Sequence, residues 1–293
     1  MNSLIGILFG LLTAFSKSAS DLMSKYSLDD DINEYVTGWA LRFFAIPFLL
    51  VPLFFRGVPE IEQEFYVSLV ISGSISIVAT VLIMKAYNLT DISLIAPVYS
   101  ASPILLLITS PLIVNEFPSP MGLLGVLLIL VGVYVTKIKE VKYGYLKPIK
   151  ATVSDKGMQY IMVVLVLYSI SSNVDKIATQ ASSPLFYSVA LQAFSAAGLT
   201  PLMILKADDW KSTIREDYKK IIPVGLLNGL ASVFFLTAFT YTLVIYVTAL
   251  KRASTITTVI GGSLLLNEGG LRQRLLGAVI VVIGVIVIGL ALS

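Results

Sequence analysis

The chain has 293 residues, of which 56% are hydrophobic and only 13% charged, whereas about 25% of residues in a soluble domain are charged. It holds no Cys and no His, which excludes disulfides, zinc sites built on thiolate or imidazole, Cys nucleophiles and imidazole acid–base catalysis. The 21 Lys and Arg against 18 Asp and Glu leave a net charge of +3, too slight to imply nucleic acid as a partner.

Ten apolar runs approach the roughly 20 residues that a membrane span needs. They are Leu4–Met23, Tyr35–Phe55, Phe65–Tyr87, Ile92–Val114, Met121–Thr136, Met158–Val174, Leu185–Leu205, Ile221–Thr242, Val244–Leu266 and Leu275–Leu292. Runs of this length and uniformity are too long for barrel strands, so the expected fold is all-α and integral to the lipid bilayer, with ten transmembrane helices. The first run follows neither a basic n-region nor a cleavage site, and it is read as a retained span.

Span one carries Lys17, Asp21 and Lys25 at spacings of four, on one helical face. Asp21 and Lys25 read as a self-neutralising ladder reaching the interface, while Lys17 lies deeper and can line a cavity. An acidic turn follows, with Asp29, Asp30, Asp31 and Glu34. Span two contains Arg42 a third of the way in, and span three ends at Tyr87, which fits an aromatic belt. Span four is interrupted by Pro97, Pro103 and Pro111, each of which removes a backbone donor. Gly122, Gly125 and Gly132 in span five, and Gly277, Gly284 and Gly289 in span ten, allow close helix packing, either within the chain or in a homodimer. Asn173, Asp175 and Lys176 at the end of span six read as an interfacial cluster. Gln192, Ser195, Asn228 and Ser232 are cavity hydrogen-bonders, with helix packing as the alternative.

Span nine is the most informative. Lys251 and Arg252 stand together inside an apolar run, at a cost of roughly 2.5–3.5 kcal/mol each at a helix centre. Thr248, Arg252, Thr255 and Thr258 recur at spacings of four and three, so hydroxyls flank the cation along one stripe. Such a stripe belongs against water or substrate; the alternative is an internal ion pair or a carbonyl-bound anchor.

The second half repeats the first. Ser20–Lys25 falls on Ser171–Lys176 at an offset of 151, and Asn115–Glu116 on Asn267–Glu268 at 152, as do Gly125 on Gly277 and Gly132 on Gly284. Five spans per half force opposite orientations, giving two inverted five-helix repeats over residues 1–137 and 158–293, joined by a basic linker at 138–157. Tyr99 is then the mate of Lys251, since 251 minus 99 is 152, and both are expected to face the central axis.

The two five-span halves, the lysines closing spans one and six, Leu41–Phe44 (LRFF), the Asn-Glu ends of spans four and nine, Ala249–Arg252 (ALKR) and the glycine-spaced spans five and ten resemble the EamA-like branch of the drug/metabolite transporter superfamily. The resemblance implies a ten-helix permease that works by alternating access, with a central cavity walled by spans one, three, four, six, eight and nine. It also implies that Arg42 is a structural ion-pair partner or a cavity wall, the structural role being preferred. Cytoplasmic termini are implied as well, whereas Lys and Arg crowd the connections after spans five, seven and nine, which by the positive-inside rule places both termini outside.

The expected function is secondary or facilitated transport of a small polar metabolite, anionic or zwitterionic, such as an amino acid, across the plasma membrane in which the chain is multi-pass. The substrate-binding residues are Lys251, Arg252, Tyr99, Lys17, Thr248, Thr255 and Asn228; Arg pairs bidentately with carboxylate or phosphate. No carboxylate is expected near the midplane, with Asp21 and Asp175 placed toward helix ends, so proton coupling through a buried acid is not favoured. An organophosphate exchanger is the alternative within the class, and a lipid scramblase or pore the alternative outside it. No cofactor, metal set or catalytic constellation is visible, so an enzyme is not expected.

Overall fold

The computed structural model describes residues 2–90, 95, 102–137, 155–252 and 271–291. All of the regular structure among them is helical. In chain order the helices are α1 Asn2–Asp29, α2 Glu34–Phe43, α3 Ala45–Arg56, α4 Gln63–Leu89, α5 Ser102–Ile113, α6 Pro120–Lys137, α7 Lys156–Gln180, α8 Pro184–Lys206, α9 Trp210–Glu216, α10 Tyr218–Phe239, α11 Val244–Arg252 and α12 Leu271–Ala291. Among the described residues six stretches are long and apolar enough to cross a membrane: Leu4–Leu28, Glu34–Arg56, Gln63–Leu89, Lys156–Gln180, Pro184–Lys206 and Tyr218–Phe239. Ser102–Ile113, Pro120–Val135 and Val279–Ala291 are shorter apolar helices.

Local sequence accounts for where these helices break and start. The second span is broken between α2 and α3 because Pro47 has no N–H to donate to the Phe43 carbonyl and its ring crowds that oxygen. Asn33, Asp155 and Ser183 cap α2, α7 and α8 by accepting backbone N–H groups of Tyr35, Met158 and Phe186. Two helices outrun their apolar segments: α1 continues six residues past Met23, and α7 six past Val174. Several buried hydroxyls inside helices are satisfied locally, as where Ser24, Thr80 and Thr179 donate to the carbonyls of Ser20, Ser76 and Asp175.

The packing pairs the two halves. Helix α1 lies against α10 and α7 against α4; α5 lies against α7 and α11 against α1. Under the sequence offset the first two contacts map onto each other, while α5 and α11 are different segments of the equivalent fourth and ninth spans. The contacts α2–α8 and α6–α12 each join equivalent helices of the two halves, and α5–α11 joins those different segments of the fourth and ninth spans. The α6–α12 contact is the closest. A Cβ on Gly125 would sit 2.9 Å from the Gly284 carbonyl oxygen, and one on Gly132 2.7 Å from that of Gly277. Ascending α6 therefore meets descending α12, and these equivalent helices run antiparallel. The glycines thus pack within the chain, which settles one of the two roles that their spacing allowed.

Apolar side chains cover the outside, with Phe54, Phe55 and Leu112 at least 80% exposed, while Ser, Thr, Asn and Gln populate the interior, as befits a chain whose solvent is lipid. Tyr87, expected in an interfacial belt, is instead buried in the core.

Candidate functional site

The interior polar groups converge on a cavity with about 1000 Å³ of non-atom space, including its mouth. Side chains from α1, α2, α4, α5, α7, α8, α10 and α11 line it. Its basic residues are Lys17, Arg42, Lys251 and Arg252, and Asp175 is the one carboxylate among the described lining residues. The surplus of cations gives the cavity an attractive field for anions.

Helix α11 places three of the expected site residues together. Val244–Leu250 are all buried, which fixes the helix and holds Thr248, Lys251 and Arg252 on the cavity wall. Lys251 Nζ lies 4.1 Å from the centroid of the Phe235 ring on α10, a cation–π contact; among the described residues no carboxylate pairs with it. Arg252 Nε donates to Ser102 Oγ at 2.8 Å. The Thr248 hydroxyl is buried with no partner among the described residues, as is Gln192 Nε2 on the same cavity. A buried donor without a partner costs roughly 1–3 kcal/mol.

The remaining expectations fare differently. Lys17 lines the cavity, but Asp21 pairs with it at 2.5 Å, so its charge is compensated. Asn228 lines the cavity while its Nδ2 donates to the Leu41 carbonyl at 3.1 Å, bracing α10 against α2 near the break before α3. Tyr99 and Thr255 lie outside the described residues.

Arg42 is held by neutral groups. Its Nε and Nη2 reach Thr80 Oγ1 at 3.1 and 2.7 Å, and Nη1 reaches Gln192 Oε1 at 3.3 Å. It lines the cavity, and among the described residues no carboxylate pairs with it.

The largest correction concerns span six. Asp175 and Lys176 form no exposed interfacial cluster; both are 8% exposed, because α7 continues to Gln180 and there packs Asp175 against Ser72 and Tyr187 and Lys176 against Glu116 and Thr242. Asp175 does stand toward the end of α7, yet it lines the cavity instead of the interface. Its Oδ1 accepts hydrogen bonds from Ser72 Oγ and, at 2.6 Å, from the Tyr187 hydroxyl. Lys176 turns away, pairs with Glu116 and donates to the Thr242 carbonyl at 3.1 Å. The available signal was the carboxylate itself, an ionisable residue one position beyond an apolar run, which hydropathy alone assigns to the interface.

Comparison with known proteins agrees with this architecture. A solved crystal structure of a protein superposes with a TM-score of 0.73 at 15% identity, over 99% of this chain and 96% of the other, a likeness of fold. No curated protein matches the sequence. The profile of the EamA-like transporter family matches twice, over residues 4–138 and 155–290. Two matches that together span nearly the whole chain, on an all-helical, lipid-facing architecture, place this multi-pass membrane protein in the EamA-like transporter family, within the drug/metabolite transporter superfamily.

Proposed function

We propose that the protein is a secondary or facilitated carrier of a small anionic or zwitterionic metabolite, such as an amino acid, across the plasma membrane. Membership of a family of transporters supports a carrier of small molecules. The observation that carries the finer reading is Lys251, a cation on the cavity wall whose described contact is an aromatic face and not a carboxylate. A substrate carboxylate or phosphate would supply the counter-charge. Arg252 and Thr248 stand on the same helix to share that anion.

The transport cycle in this reading is alternating access by ten spans arranged as two inverted repeats, residues 1–137 and 158–293, joined by 138–157. The reciprocal contacts of α1–α10 with α7–α4, and the antiparallel packing of the equivalent helices α6 and α12, support it. The site would lie between the repeats and open to each side in turn.

The test is a thermal-shift screen of the purified protein against amino acids, carboxylates, sugar phosphates and quaternary amines, alongside Lys251→Ala/Arg252→Ala. A ligand at 100 times its Kd stabilises by about 2.7 kcal/mol. A shift by carboxylate- or phosphate-bearing compounds that the double variant loses supports the anion site. A shift by quaternary amines alone, or an equal response from the variant, overturns it.

A further inference from the structure

Asp175 is a carboxylate in a cavity whose other charged lining residues, among those described, are cations, and the anion site does not use it. Its surroundings on the page are specific. Ser72 on α4 and Tyr187 on α8, 1% and 0% exposed, both direct their hydroxyls at Oδ1. Both donors are neutral, so they fix the carboxylate without cancelling its charge. Oδ2 takes part in none of the hydrogen bonds among the described residues, and no described ion pair involves Asp175. A buried, oriented carboxylate that lacks an ion-pair partner is costly to keep.

For a purely anionic substrate such a group is a liability, because it repels the cargo that the cations attract. For a substrate carrying an ammonium it is the missing half of the site. We propose that Asp175 Oδ2 is the ammonium subsite of the carrier, set by the Ser72–Tyr187 clamp, and that it selects zwitterions over simple carboxylates and phosphates. This rests on the reading of Lys251 and Arg252 as the anion subsite and adds a second pole to it. A zwitterion compensates both poles at once, whereas a carboxylate alone leaves Asp175 uncompensated and an amine alone leaves Lys251 so. Specificity therefore comes partly from what is left unpaired when the wrong ligand enters.

The experiment measures binding of the common L-amino acids, and of the matching carboxylates without the amine, to wild type, Asp175→Asn and Lys251→Ala/Arg252→Ala. The amide keeps the size of the side chain and removes its charge. For the best-bound amino acid, Asp175→Asn is expected to weaken binding roughly tenfold or more, the loss of one charge-assisted hydrogen bond. The matching carboxylate is expected to bind the same variant more tightly than it binds wild type. Parallel weakening of both ligands, or no change in either, overturns the ammonium subsite; if the Lys251/Arg252 variant has meanwhile lost both ligands, the anion site stands by itself. Should neither ligand class bind wild type, the anion site and the subsite built on it fall together. If Asp175→Asn does not fold, Tyr187→Phe carries the test by loosening the clamp with the charge retained. Amino-acid affinity should then fall severalfold against an unmoved carboxylate affinity, and equal effects on both ligands overturn the assignment.

Discussion

Glu116, in the turn after α5, binds two partners at once: one carboxylate oxygen pairs with Lys176 of α7, and the other accepts the backbone N–H of Val244 at 2.9 Å, at the first residue of α11. The side chains of Glu116 and Lys176 are each 11% exposed. A single carboxylate thereby ties α7 to the start of the helix that carries Lys251, and it sits at the positive end of that helix's dipole.

Breaking a buried pair from one side leaves the other charge stranded, at a cost of about 3–5 kcal/mol. Glu116→Gln keeps an acceptor for the Val244 N–H and removes the counter-charge of Lys176, so its expected destabilisation falls in that range. Adding Lys176→Met to it should recover part of the loss, because the stranded ammonium is gone. Thermal melts of the three proteins in one detergent check this. Additive losses in the double variant would show that the two groups act separately.

The glycines of α6 and α12 give a graded prediction. A methyl on Gly125 meets Ile288 Cγ1 at 2.7 Å and the backbone of Gly284 and Ile288 at 2.9 Å, which cannot swing aside, whereas one on Gly289 meets only the terminal Cδ1 of Ile7, at 3.3 Å. Gly125→Ala should therefore separate the two helices, at a cost of about 1–3 kcal/mol. Gly289→Ala should remain close to wild type. The comparison is made by melting temperature, and an indifferent Gly125→Ala would mean that the helices are free to slide apart.

Those glycines also show what a sequence can reveal. Their spacing and their 152-residue offset mark them as packing sites, and the structure places them back to back. The Asn-Glu match was equally visible, yet the role of Glu116 depends on which spans meet in space, and periodicity does not encode that. Asp175 was misplaced for a different reason: hydropathy ends the sixth span at Val174, but a helix stops where its capping and packing stop, and α7 runs on to Gln180. Lys251, Arg252 and Thr248 were legible because charge inside an apolar run has few explanations, and all three line the cavity. Lys17 was legible as a cavity residue but not as a charge already answered by Asp21.

Arg42 supplies the last prediction. It is 8% exposed, and its hydrogen bonds run to Thr80 and Gln192, so a guanidinium with neutral partners stands on the cavity wall. Thr80 accepts two of the described bonds, from Nε and Nη2, and its hydroxyl donates to the Ser76 carbonyl. Thr80→Val preserves shape and leaves two donor groups of a buried cation without their acceptor, for an expected loss of roughly 1–3 kcal/mol. Arg42→Lys should not be benign, since an ammonium cannot reproduce the planar fork that spans Thr80 and Gln192. If Arg42 only braces α2 against α4 and α8, Thr80→Val lowers the melting temperature and leaves the relative affinities of amino acids and carboxylates unchanged. A change in that ranking would instead show that the orientation of Arg42 is part of substrate recognition, because freeing the guanidinium would then add a third cation to the anion subsite.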